Sequence, residues 1–61
     1  MKRRDLVSHL EARGCAFVRE GGRHSWYRSA DGKRHSTVPR HREIDEGLAR
    51  KSCRDLGIVA P

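Results

Sequence analysis

Between residues 14 and 39 the chain is broken by Gly14, by Gly21-Gly22, by Asp31-Gly32 and by Pro39, and no piece between these breaks is long enough for an ordinary helix. The pieces read "CAFVRE", "RHSWYRS" and "RHSTV". Each is short, mixes β-branched or aromatic residues with polar ones, and is bounded by turn residues, so each is predicted to be a strand. The Asp-Gly pair in "ADGK" is a strong hairpin signal, because its residues tolerate the positive φ that hairpin turns require. Proline cannot donate to a ladder, so Pro39 ends the third strand.

The flanking segments have a different period. "RRDLVSHLEARG" sets Leu6, Val7 and Leu10 on one side at helical spacing, with Gly14 as a stop. "REIDEGLARKSCRDLG" spaces Ile44, Leu48, Cys53 and Leu56 for a second helix, closed by Gly57. An interior glycine costs a helix about 1 kcal/mol relative to alanine, so that helix is predicted to begin near Gly47, with 42–46 as an irregular turn. Ile58 in the tail is expected to tuck against the core. The order α-β-β-β-α gives a single two-layer α+β domain over 1–61: a three-stranded antiparallel sheet with both helices on one face and the other face open.

A chain of 61 residues is too small for a deep cavity, since folding at this size buries only about 60% of the unfolded surface. Any site is expected to be shallow. Fourteen Lys and Arg against eight Asp and Glu give a formal charge of +6, which attracts a polyanion or an acidic protein. Nucleic acid is the first candidate. Cys15 and Cys53 belong to no CxxC or CxxxH cluster and are read as small core hydrophobes in a reducing cytoplasm, without metal or other cofactor. No apolar run approaches a membrane span or a signal peptide.

Within "EGGRHSWYR" side chains alternate, so His24, Trp26 and Arg28 share one face of the second strand, and Ser25, Tyr27 and Ser29 the other. Two orientations fit. If Tyr27 packs inward, His24, Trp26 and Arg28 lie on the open face as a titratable group, a stacking platform and a cation; the alternative buries Trp26 and exposes Tyr27. Either way His24 stands beside the Gly21-Gly22 turn, where backbone can approach a ligand closely. Arg19, Gly22, Arg23, Trp26, Arg28, Arg40 and His41 are the candidate contacts for a phosphate backbone, with His35 and Thr37 on the neighbouring strand. Cleavage of RNA needs a base for the 2′-hydroxyl proton, an acid for the leaving oxygen and cations to stabilise charge on the phosphate, and His24 among arginines meets that minimum. His9, out of register with Leu6 and Leu10, is expected to be solvated. No HExxH, GxSxG, P-loop or carboxylate dyad is present.

With "FVREGGRH", "WYRSADGKRHSTVPRH" and "EIDEG" in this order, nearly the whole chain resembles the HicA-type toxins, small ribonucleases of bacterial toxin–antitoxin modules. In that family a Gly-Ser-His turn carries the catalytic histidine and a Val-Pro-x-His segment closes the third strand. Gly22-Arg23-His24 and Val38-Pro39-Arg40-His41 match these positions. The resemblance implies a fold similar to double-stranded RNA-binding domains, an activity against mRNA, His24 as the catalytic residue and neutralisation by a HicB-type antitoxin. Three positions depart from the pattern. Arg23 replaces the serine, Gly47-Leu48-Ala49 replaces Gly-Thr-Leu at the opening of the last helix, and Ser52 stands where an apolar residue is usual. The last two imply a less stable final helix, the lost threonine cap being worth about 1 kcal/mol.

Two non-catalytic readings stand beside a metal-independent endoribonuclease. One is a module that binds structured RNA by shape. The other is a domain whose basic face meets an acidic antitoxin.

Overall fold

A computed structural model describes all residues, Met1–Pro61. The elements run α1 (Arg3–Ala12), β1 (Ala16–Gly21), β2 (His24–Arg28), β3 (His35–Pro39) and α2 (Glu46–Asp55). The strands form an antiparallel sheet in the order β1-β2-β3. The predicted α+β order is therefore the observed one.

Register decides what each face carries. In β2, Ser25 lies opposite Glu20 and Val38, and Tyr27 opposite Phe17 and Ser36, while Trp26 lies between Arg19 and Thr37. Ser25, Tyr27, Ser36 and Val38 are buried under the helices. Their neighbours His24, Trp26 and Arg28 consequently project from the other side. Of the two orientations open in the sequence, the one with Tyr27 inward is observed. A register shift between Phe17 and Arg19 lets β1 follow this alternation, with the extra residue Val18 left exposed.

Leu6 and Leu10 of α1 meet Val38, Ile44, Ala49, Cys53 and Leu56 in the core, with Cys15 and Tyr27 at its edges. Burying a leucine or valine side chain of this kind contributes about 1.5–3 kcal/mol. Both cysteines are free and buried, and burial pushes their thiols up. Four serines, Ser25, Ser29, Ser36 and Ser52, complete the interior, and no buried side-chain polar atom lacks a partner. Ser52 Oγ donates to the Thr37 carbonyl at 3.0 Å and Ser36 Oγ donates to Asp55 at 3.0 Å, so α2 is pinned to β3 at two points. The polar residue at position 52 thus makes a tertiary bond in place of apolar packing.

Three expectations are corrected. α2 begins at Glu46, and Asp45 caps it by accepting bonds from the Gly47 and Leu48 amides at 2.9 and 3.3 Å. The missing threonine is thereby replaced by a carboxylate one turn earlier, which also suits the positive end of the helix dipole. Leu48 is exposed, and Ala49 takes the inward place. His9 is half-buried and its Nε2 lies 2.8 Å from the Val59 carbonyl, holding the tail against α1. Ile58 packs on the core as expected. Hydrogen bonds from Lys51 and Ser36 hold the Asp55 carboxyl below its ordinary range, and bonds from Ser29 and the Lys33 amide do the same for Asp31 in the β2–β3 turn. No helix is long and apolar enough to cross a membrane.

Candidate functional site

The β1–β2 turn sets the site's position. Gly22 adopts φ +61°, a conformation that a side chain disfavours, and the turn returns the chain so that Gly21 pairs with His24. His24 is also paired with Pro39 of β3 and is exposed. Arg40 continues the link, its amide donating to the Arg23 carbonyl at 3.2 Å. Gly22, Arg23, Arg40 and His41 line a shallow depression of about 350 Å³ at this end of the sheet. It is an open surface without apolar lining, suited to a polyanion and unsuited to a small apolar ligand.

On the open face beside it, the Arg19 guanidinium stands 5.5 Å from the Trp26 ring centroid. Gly21 makes room for this pair. A Cβ at that position would lie 2.8 Å from Trp26 Nε1 and 3.2 Å from an Arg19 terminal nitrogen. The indole is half-buried, and the Arg19 guanidinium lies over its ring.

Arg28 is not part of this cluster. It occupies the opposite end of β2, about 13 Å along the strand from His24 at ~3.3 Å per residue, and pairs with His35. Its guanidinium donates to the Ser29 carbonyl at 3.3 Å. The candidate contacts therefore divide into a group around His24 (Gly22, Arg23, Arg40, His41), a stacking pair (Arg19 and Trp26), and a separate cation.

Sequence reasoning missed the support beneath His24. Arg3, in the first turn of α1, donates from Nε to the Pro39 carbonyl at 3.0 Å and from its terminal nitrogen to Ser25 Oγ at 2.7 Å. Ser25 Oγ donates in turn to the Glu20 carboxylate, and Glu20 stands 3.8 Å from Arg40 Nε. Pro39, the partner of His24, and Ser25, its neighbour in β2, are thus both held from below by one side chain of α1. Strand alternation puts Glu20 and Ser25 on one face, but nothing in the sequence spacing links Arg3 to them.

The family model described as HicA toxin of bacterial toxin-antitoxin matches residues 3–58. The chain belongs to the HicA toxin family. Neither a curated protein nor a solved structure matches it significantly. As a HicA toxin it is one component of a toxin–antitoxin module, whose other component is an antitoxin. The matched span holds every element from α1 to α2, and with them His24 and the depression lined by Gly22, Arg23, Arg40 and His41.

Proposed function

We propose that this HicA toxin is a metal-independent endoribonuclease acting on mRNA, with His24 as general acid or base and a HicB-type antitoxin as its inhibitor. The observation that carries the reading is the exposed His24 imidazole at the start of β2, beside a depression lined by Arg23, Arg40 and His41. A neutral imidazole takes the proton of the 2′-hydroxyl; the 2′-oxygen bonds to phosphorus as the bond to the 5′-oxygen breaks; and a protonated group returns a proton to that leaving oxygen. Arg23 and Arg40 balance charge on the phosphate, and Trp26 stacks on a base two positions along the same face.

Arg23 in place of the family's serine supplies a further cation for the phosphate. The antitoxin inhibits by covering His24 and the basic face, and the shallowness of the site makes such a cover sufficient.

The test is incubation of the partner-free protein with a long single-stranded RNA in EDTA, beside the His24→Ala variant. Fragments from the wild type alone are expected. Cleavage that survives the substitution refutes the role of His24. Intact RNA in both lanes with folded protein leaves the RNA-binding module as the reading.

A further inference from the structure

A second basic cleft lies at the same end of the molecule, formed by residues far apart in the chain. The Arg3 amide donates to the Arg42 carbonyl at 2.9 Å, and the Ile44 amide donates to the Met1 carbonyl at 2.7 Å, so the segment leaving β3 runs beside the start of α1. Lys2, Arg3, Arg4 and Arg42 line a cleft of about 250 Å³ that contains no apolar residue. Arg3 forms its inner wall, since its guanidinium is committed to Pro39 and Ser25. Lys2, Arg4 and Arg42 are exposed, and none of them takes part in an ion pair. No carboxylate lies within ion-pair distance of them: Glu43 faces the Met1 ammonium at 3.8 Å, and Asp5 forms no ion pair.

Three unpaired cations held together repel one another, and an anion placed among them relieves that repulsion. The cleft and the depression beside His24 share no lining residue but are linked along the chain by residues 40–42. Arg40 lines one and Arg42 the other, and their Cα atoms can be no more than about 7 Å apart along the chain. A strand of RNA that places one phosphate at Arg23 and Arg40 therefore passes within reach of Lys2, Arg4 and Arg42.

We propose that Lys2, Arg4 and Arg42 form a second phosphate-binding subsite that holds the RNA strand beyond the cleavage site. This rests on the ribonuclease reading, and it adds a reach: the toxin grips a run of nucleotides, so a longer strand binds more tightly than a short one. Because the contacts are to phosphate, the subsite contributes affinity and salt dependence without base preference.

The experiment measures binding of 2′-O-methyl single-stranded oligonucleotides, which lack the hydroxyl needed for cleavage, in two lengths of about three and twelve nucleotides over a range of salt. The variants are Lys2→Gln/Arg4→Gln/Arg42→Gln and Arg23→Gln/Arg40→Gln, each checked for folding by circular dichroism and for capture of the antitoxin. Replacing the three exposed cations is expected to weaken the long oligonucleotide roughly tenfold and to lower the slope of log K against log salt by about 0.7 for each phosphate no longer neutralised. Binding of the short one stays unchanged, whereas Arg23→Gln/Arg40→Gln weakens both. If the triple variant binds the long oligonucleotide like the wild type, while Arg23→Gln/Arg40→Gln does not, the subsite is refuted and the ribonuclease reading stands. If the triple variant fails only to capture the antitoxin, the cleft serves the protein partner and the subsite is refuted. If the wild type binds neither length, both fall.

Discussion

At the scale of residues, the glycine opposite His24 matters as much as the charged groups around it. Gly21→Ala leaves the strand conformation available but sets a methyl against the indole, so Trp26 and Arg19 must move. The emission of the single tryptophan is expected to shift, with a several-fold loss of RNA affinity, and an unchanged spectrum would refute the contact. On the proposed reading, in which Trp26 stacks on a base, Trp26→Ala is expected to cost about 1–3 kcal/mol, read as weaker binding of single-stranded RNA at constant salt, and unchanged binding would refute the stacking. Here the sequence was only half legible. Alternation divided His24, Trp26 and Arg28 from Ser25, Tyr27 and Ser29, but both sets contain a large aromatic, and period alone cannot say which faces the helices. The buried serines decide it. Small hydroxyls at 25 and 29, satisfied by Arg3 with Glu20 and by Asp31 with the Arg34 amide, fit beneath α1 and the β2–β3 turn where charged side chains do not.

At the scale of elements, α2 depends on contacts at both of its ends. Asp45→Ala removes two acceptor bonds to the first turn and is expected to cost about 1 kcal/mol, measured by urea unfolding. Ser52→Ala leaves the Thr37 carbonyl without its donor and is expected to cost a similar ~1–2 kcal/mol, whereas a Ser52→Val variant that proved more stable would show that packing outweighs the bond. The strands were readable because glycine and proline punctuate them. The start of α2 was less so, since Gly47 drew the predicted boundary inward, although it is only the second residue of the helix and the cap lies at Asp45. Leu48 misled for a related reason. Its hydrophobicity suggested the inward stripe, yet the helix turns Ala49 and Cys53 to the core, the two being four residues apart on one face.

At the scale of the whole molecule, acid weakens the fold at its polar joints. Asp55, bonded to Lys51 and Ser36, and Asp31, bonded to Ser29, have carboxyls held below their ordinary range. Their contribution is present above the unfolded value of about 3.9 and is lost as pH falls through the lower folded values. The melting temperature is therefore expected to drop below about pH 4, and Asp55→Asn should flatten that drop; an equally steep loss in the variant would place the sensitivity elsewhere. The layer order and open face could be read from the chain, whereas the join between residues 1–3 and the segment after β3 could not, because it is made by backbone groups that carry no residue signature. That join has a consequence in time. The first amide of α1, that of Arg3, donates to the Arg42 carbonyl, and the Arg3 side chain braces Pro39 and Ser25. During synthesis the helix emerges first, but the ledge on which His24 sits remains unbraced until residues 39–44 have left the ribosome, so an interrupted message yields a fragment without a finished site.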